Sequence, residues 1–378
     1  MHAPPTGSSP DLAVLRTAAG TSFALIDQLP VLFSEDDQQL LELNDVAAFI
    51  WCSMQDAVPL DAISGQLAER GLTPAAARES LRDALNQWLS AGLIVPCTDA
   101  ADFVFTAPIG RTSIEIRTSD VQIMNHLRSL FVATTSRTVN VDARFTVHRV
   151  GATSIVMREG RKVLGCAINE LAPTFKAYVI EHLLLAGDGR DVIFHAAAVT
   201  SGDHGLLISA PPGTGKSTLT MHLLKAGFGY ATDDIVLIGA DGSIRGVPFT
   251  PTLKSNSWPL IDDVRLGADG VPIHDRLDGH AVRYLDVEAD FHEGAIRVDW
   301  IVFLERGSDR TAPALTELNE LDTLKRIIAA SFATQGKLTG DGFRILKRLV
   351  SHTRSFVLQY AEAADATGKL IELRDGEL

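Results

Sequence analysis

A chain of 378 residues is long enough for two or three domains and a large buried core. Its 46% hydrophobic and 21% charged content is that of a soluble globular protein, and no window is long and uncharged enough for a membrane span. The formal net charge of −13 argues against general nucleic-acid affinity, because backbone phosphates are bound mainly through Lys and Arg. The three cysteines, Cys52, Cys97 and Cys166, are far apart and form neither a disulfide framework nor a C-x-x-C metal site. The opening MHAPPTGSSPD lacks the basic and apolar regions of a signal peptide, so a cytoplasmic, reducing location is expected.

In chain order, residues 1–15 read as a Pro/Ser/Gly-rich disordered tail and residues 16–97 as a compact first domain. Three β-prone stretches, FALI, VLF and QLLELN, are separated by the turn-like DQLP and SEDD. Asn44 is placed to N-cap a helix with Val46, Phe49, Ile50 and Met54 on one side. Pro59 opens a second helix with Leu60, Ile63 and Leu67 inward. Thr73 and Pro74 open a third, with Leu81, Leu85, Trp88 and Leu89 inward, ended by Gly92. This is a winged-helix-like module. DNA is excluded as its partner, because residues 1–97 carry four arginines and no lysine against twelve acids.

Residues 98–190 carry alternating stretches, FVFTA, TSIEIRT, RFTVHRV and TSIVMRE, that predict a small sheet, followed by a helix in TFKAYVIEHLLLAG. This region either precedes the next domain or is layered on it. Arg117, Arg144, Arg149, Arg158 and Arg161 read as solvated edge-strand charge rather than as phosphate ligands.

From residue 191 the chemistry is concentrated. An apolar strand, GLLIS, leads into Ala210-Pro211-Pro212-Gly213-Thr214-Gly215-Lys216-Ser217-Thr218 and then into a segment of helical period. The loop matches G-x-x-x-x-G-K-[ST] except that Ala210 replaces the first glycine. Gly213 and Gly215 let the backbone turn successive N–H groups inward to form an anion nest, and the following helix points its positive end at the same place. With ATP and Mg²⁺ in such a loop, Gly213 to Thr218 cradle the phosphates, Lys216 meets the β- and γ-phosphates, and the Ser217 hydroxyl reaches the metal.

His195 ends an apolar strand fifteen residues before Ala210, and Asp233 and Asp234 follow Lys216 by seventeen and eighteen. A carboxylate within reach of an acceptor hydroxyl can take its proton as a phosphoryl group transfers, and a second one can help hold the metal. Asp-Asp alone is more often a solvated turn or a helix cap. At this distance after a phosphate loop, the functional reading is the stronger. Farther on, RGVPFTPTLKSNSW supplies Arg245 and Lys254 and HAVRYLD supplies Arg283. Charge on the equatorial oxygens calls for a cation from this region, while Arg283 is expected to pair with surface acids.

Two resemblances follow. LND…AAFIW and the GL-terminated third helix resemble the PqqD-like family, the peptide-recognition element of enzymes that modify ribosomal peptides. That resemblance implies a leader peptide adding as a strand beside residues 38–44 and packing on the helix 74–91. Strand-His, phosphate loop, helix, short strand and Asp-Asp together resemble the HPr kinase family, in particular its relatives found beside peptide-modifying enzymes. It implies Asp233 as proton acceptor, Asp234 at the metal, His195 supporting phosphate and aspartate, and Lys254, in a Pro-x-x-x-Lys-x-x-Ser-like segment, as the preferred cation. The arginine-rich signature of the HPr kinases proper is absent, which sets HPr itself aside as the substrate.

The remainder predicts strands in DWIVFLE and SFVLQYA and helices in LDTLKRIIAASFA, GFRILKRLVSHT and the C-terminal stretch. By resemblance, these helices offer an acceptor-binding or homo-oligomer surface. The fold class expected is α/β, α+β overall: a winged-helix-like PqqD-type domain, then residues 191–378 as an HPr-kinase-like domain of mixed sheet flanked by helices. The function expected is ATP-dependent phosphorylation of a Ser/Thr hydroxyl on a ribosomally made precursor peptide whose leader is held by the first domain. The alternatives are a kinase of a small molecule or carrier protein, and a non-catalytic ATP-binding switch that recruits a partner.

Overall fold

A computed structural model describes residues 15–35, 38–96, 101–134, 141–150, 153–185, 191–211, 213–260, 271–287, 291–307, 312–332 and 337–376. Residues 1–14 of the expected tail, Cys97 and Pro212 lie outside the described residues, whereas Leu15, expected in the tail, begins the first strand. The chain divides into two compact units, one of Met1–Val104, Ile116–Ile123 and Arg144–Ile168, the other of Phe105–Glu115, Met124–Ala143 and Asn169–Leu378.

The first unit opens with β1 (Leu15–Thr17), β2 (Thr21–Ile26), β3 (Leu29–Ser34) and β4 (Gln39–Glu42). Helices α1 (Asp45–Gln55), α2 (Leu60–Glu69) and α3 (Pro74–Ser90) follow, and β5 (Ile94–Pro96) returns to pair with β1. Strands β2, β3 and β4 form an antiparallel sheet with β3 in the middle. The helix starts are where the sequence puts them: the Asn44 side chain accepts from the Ala47 N–H at 2.8 Å, and Thr73 from Ala76 at 3.2 Å. Replacing Asn44 with alanine is expected to cost about 1 kcal/mol, read as a lower urea midpoint at unchanged slope.

The core of this unit joins Ile50 and Trp51 of α1, Ile63 and Leu67 of α2, and Leu81, Leu85, Trp88 and Leu89 of α3. Trp51 and Trp88 meet edge to face with centroids 5.1 Å apart. Helix α1 therefore turns Ile50, Trp51 and Ser53 inward, and Phe49 is only half-buried, with the Arg70 guanidinium 3.8 Å from its ring centre. Leu25 on β2 and Leu40 on β4 are 67% and 62% exposed. Both edge strands of the small sheet thus present apolar side chains to solvent.

After β5 come β6 (Phe103–Ile109), β7 (Thr112–Thr118), helix α4 (Val121–Arg128), and the meander β8 (Ala143–Val150), β9 (Thr153–Arg158) and β10 (Arg161–Ala167). Ile155 and Met157 of β9 complete the core of the first unit. Arg149 is exposed, donating to Gln122 at 2.6 Å and lying 3.5 Å from Asp120. The edge-strand expectation is corrected: in the sheet β10-β9-β8-β7-β6 only Arg161, on β10, lies on an edge, while Arg117, Arg144, Arg149 and Arg158 are on inner strands. Helix α5 (Leu171–Val179) then passes into a π-helical turn, Ile180–Leu184.

The second unit carries β11 (Val192–His195), β12 (Ala197–Ser201), β13 (His204–Ser209), α6 (Lys216–Lys225), β14 (Gly229–Thr232), β15 (Ile235–Ile238), β16 (Ile244–Gly246) and β17 (Thr252–Lys254). It continues with β18 (His274–Asp275), β19 (Ala281–Tyr284), β20 (Val298–Arg306), β21 (Ala314–Leu318), α7 (Glu320–Ala330), β22 (Ser331–Phe332), α8 (Gly340–Val350), β23 (Arg354–Tyr360) and α9 (Ala363–Asp375). A six-stranded mixed sheet runs β14-β12-β13-β20-β23-β21, with β13, β20 and β23 parallel. Ile301 and Phe303 of β20 face a core shared with Ile327 of α7 and Leu346 of α8. Val302 and Leu304 face the other, with Leu219 of α6 and Leu370 of α9. Burial on both faces explains the unbroken apolar run WIVFL. A four-stranded sheet, β16-β15-β11-β22, and a three-stranded one, β17-β19-β18, complete the unit. The architecture is mixed α/β. No helix among the described residues is long and apolar enough to cross a membrane.

Candidate active site

Strand β13 ends at Ser209, between β12 and β20, and the chain turns through the glycine loop into α6. Two glycines make that turn: Gly213 has φ of 83° and Gly215 has φ of 103°, left-handed values that favour residues without a Cβ. A side chain at Gly215 would also crowd the Tyr360 hydroxyl, 3.2 Å from an added Cβ. Tyr360, at the end of β23, donates to the Thr214 carbonyl at 2.9 Å, and the Thr214 hydroxyl donates to the Pro211 carbonyl at 2.9 Å. Arg306, at the end of β20, donates to the Ala361 carbonyl at 3.0 Å. The loop therefore leaves the C-terminal end of β13 and is tied to that of the parallel-sheet strand β23, the usual place for a ligand in such sheets.

Lys216 begins α6 and is only 8% exposed, yet its Nζ has no hydrogen-bond partner among the described residues. Burial pushes its pKa below the usual lysine value, against the pull of Asp234 and Asp233, and the nearby Lys176 adds to the depression. Thr218, in the same first turn, is engaged with Ser257 at 3.1 Å between hydroxyl oxygens. Ser217, the residue after Lys216, lies close enough to the Asp233 carboxylate to favour its ionised form.

The two acids sit where the chain leaves β14 in the large sheet for β15 in the smaller one. His195 sits at the matching crossing, between β11 and β12, and pairs across the sheet with Ile235. These neighbouring crossovers bring His195 Nδ1 to 3.1 Å from Asp234 Oδ1. Asp234 Oδ2 is 2.9 Å from the Lys176 ammonium of α5. Asp233 is 2% exposed, its Oδ2 accepting from the Thr252 N–H at 3.1 Å and its Oδ1 from the Tyr230 hydroxyl at 3.3 Å.

Burial raises the Asp233 pKa above the usual carboxylate range. Lys176 opposes the rise, and the Asp234 charge adds to it. Burial acts on Asp234 too, but there Lys176 and His195 win and hold its carboxyl well below that range. For Lys176, burial works downward, and the charges of Asp234, Asp233 and Tyr284 outweigh it, so its pKa is raised. Two adjacent carboxyls pushed in opposite directions are the arrangement that separates an acceptor of protons from a permanently ionised group.

His195, Lys216, Ser217, Asp233 and Asp234 are thus brought together. Lys254 stands two residues beyond Thr252 on β17, on the same face of that strand. Arg283, expected to pair with surface acids, instead stacks 4.5 Å above Trp258, and its buried Nε has no hydrogen-bond partner among the described residues. Sequence reasoning missed Lys176, Tyr230, Thr252 and Tyr360. For Lys176 a signal existed: it is a lone charge on a helical stripe with Ala172, Phe175 and Val179, all buried.

A phosphate chain and a divalent cation fit these residues. The Lys216 ammonium, without a hydrogen-bond partner among the described residues, begins a helix preceded by a loop of left-handed glycines, a setting that suits an anion. Ser217, Asp233 and Asp234 are hard oxygen donors. Among the described residues, no group of three or more His, Cys, Asp or Glu could hold a metal ion by itself.

Residues 31–94 match the family model described as coenzyme PQQ synthesis protein D (PqqD), so the chain carries a PqqD-like domain near its N-terminus. The chain is also similar to the solved HPr(Ser) kinase/phosphatase from Coxiella burnetii, at 10% identity over 49% of this chain and 95% of that one, with a TM-score of 0.24. No curated protein matches it.

Proposed function

We propose that this chain is an ATP-dependent kinase that phosphorylates a Ser or Thr hydroxyl of a ribosomally made precursor peptide. The observation that carries this reading is the buried Lys216 ammonium at the head of α6, without a hydrogen-bond partner among the described residues, beside the Asp233–Asp234 pair held by His195, Lys176 and Thr252. Lys216 and the N–H groups of Gly213 to Thr218 bind and orient the phosphates. Asp233 accepts the proton of the acceptor hydroxyl while that oxygen bonds to the γ-phosphorus and the bond from phosphorus to the bridging oxygen of ADP breaks. The two contacts on Asp233 leave lone pairs for that proton. Ser217 and Asp234 would hold Mg²⁺, which would supply charge neutralisation on the phosphates, and His195 orients Asp234. Lys254 provides further positive charge for the transferred group.

The PqqD-like domain captures the leader, with β4 as the edge to which it adds and α3 as the helix against which it packs. A tethered leader raises the local concentration of the acceptor segment without any new contact at the kinase site. The test is intact-mass analysis of a precursor peptide incubated with the protein and MgATP. A gain of one phosphate, about 80 Da, supports the reading. Nucleotide binding without modification of any peptide overturns it in favour of a small-molecule kinase or a switch.

A further inference from the structure

We propose that Lys176 is the positioning residue of the Asp233–Asp234 pair, closing a hydrogen-bonded ring that fixes both carboxylates in place; this rests on the phosphoryl transfer proposed above. The ring can be followed atom by atom. Lys176 Nζ lies 2.9 Å from Asp234 Oδ2 and donates to the Thr252 hydroxyl at 3.1 Å. The Thr252 N–H donates to Asp233 Oδ2 at 3.1 Å, and the peptide bond between the two aspartates closes the circuit. One ammonium thereby holds Asp234 directly and Asp233 through the strand that carries Thr252. The Phe249 ring, its centre 5.1 Å from the Lys176 nitrogen, covers the ammonium.

Stability does not account for this lysine. A buried ion pair seldom improves on apolar side chains of the same volume, and Lys176 interrupts the apolar stripe of Ala172, Phe175 and Val179. Methionine would fill that slot. Position does account for it: with His195 on Oδ1 and Lys176 on Oδ2, Asp234 is held from two elements. Asp233 is held by a backbone donor whose own residue is tied to the same lysine. The helix that presents Lys176 turns π-helical directly afterwards, at Ile180–Leu184, a distortion frequent at functional sites.

The experiment compares wild type with Lys176→Met, Lys176→Arg and the double variant Lys176→Met/Asp234→Asn, measuring kcat and KM for MgATP, thermal unfolding, and binding of a fluorescent ATP analogue with and without Mg²⁺. Displacing a catalytic group by about 1 Å costs roughly a hundredfold, so Lys176→Met is expected to lose about that factor in kcat. KM for MgATP should stay within about threefold, and Lys176→Arg should recover about tenfold of the loss. The double variant, which removes the ammonium and the carboxylate it pairs with together, should unfold near the wild-type temperature and remain slow. Wild-type kcat in Lys176→Met, recovery of kcat in the double variant, or a raised KM at unchanged kcat each overturns the proposal. A wild type that transfers no phosphate overturns the kinase reading instead. The ring is then judged by analogue binding: loss of the Mg²⁺ enhancement in Lys176→Met supports it, and retention overturns it.

Discussion

Asp233→Asn is expected to lower kcat for peptide phosphorylation by roughly 10²- to 10⁴-fold, the range associated with a positioned general base, while MgATP still binds. Asparagine keeps an amide oxygen for the Thr252 N–H, so the strand geometry survives. What is lost is the acceptor for the hydroxyl proton. The same substitution should raise the unfolding temperature. A carboxyl whose folded pKa is raised binds more protons folded than unfolded between the two pKa values, so stability falls as pH rises through that window. At neutral pH the buried charge is a net burden, and asparagine removes it. The wild-type rate should accordingly fall on acidification at a pH above that of an ordinary aspartate, because the base is lost once it is protonated. Calorimetry and a pH–rate profile check both signs. A variant that is slower and also less stable would mean that Asp233 is a structural anchor rather than the base.

Much of this site was legible in the sequence because its parts are local. Gly213, Gly215, Lys216 and Ser217 are nearly contiguous, and a strand before them with a periodic helix after them is enough to specify the loop. The caps at Asn44 and Thr73 are equally local, as each is a side chain three residues from the N–H it satisfies. Lys176 is different. It stands fifty-eight residues before Asp234, on a helix whose period announces only that one face is buried. Tertiary packing alone decides that this face meets two acids. Thr252 sits in a strand of three residues, too short for any alternation to register. Helix α1 shows how a stripe can be read slightly off axis. Ile50 is in the core and Val46, Phe49 and Met54 pack against it from partly buried positions, while contact with Trp88 adds Trp51, which the stripe left out. The crossing at His195 was hidden for a related reason, since FHAAAV is one apolar run in sequence but belongs to two sheets.

Lys216→Met should move stability and function in opposite directions. A buried polar group without a partner costs about 1–3 kcal/mol, more when charged, so replacing the ammonium with a thioether of similar length should stabilise the free protein by an amount of that order. Urea denaturation at neutral pH measures the gain. MgATP affinity should fall at the same time by about a hundredfold, roughly 2.7 kcal/mol, because charge-assisted hydrogen bonds to phosphate are lost from a site shielded from water. Neither change alone is diagnostic: a core lysine replaced by methionine can stabilise, and a damaged loop can lose ligand. Their combination is, because only a residue kept unsatisfied for a ligand both burdens the free protein and holds the bound one. If the variant instead binds MgATP as tightly as wild type, the buried ammonium is answered by Asp233 and Asp234 alone, and the loop is not the phosphate site.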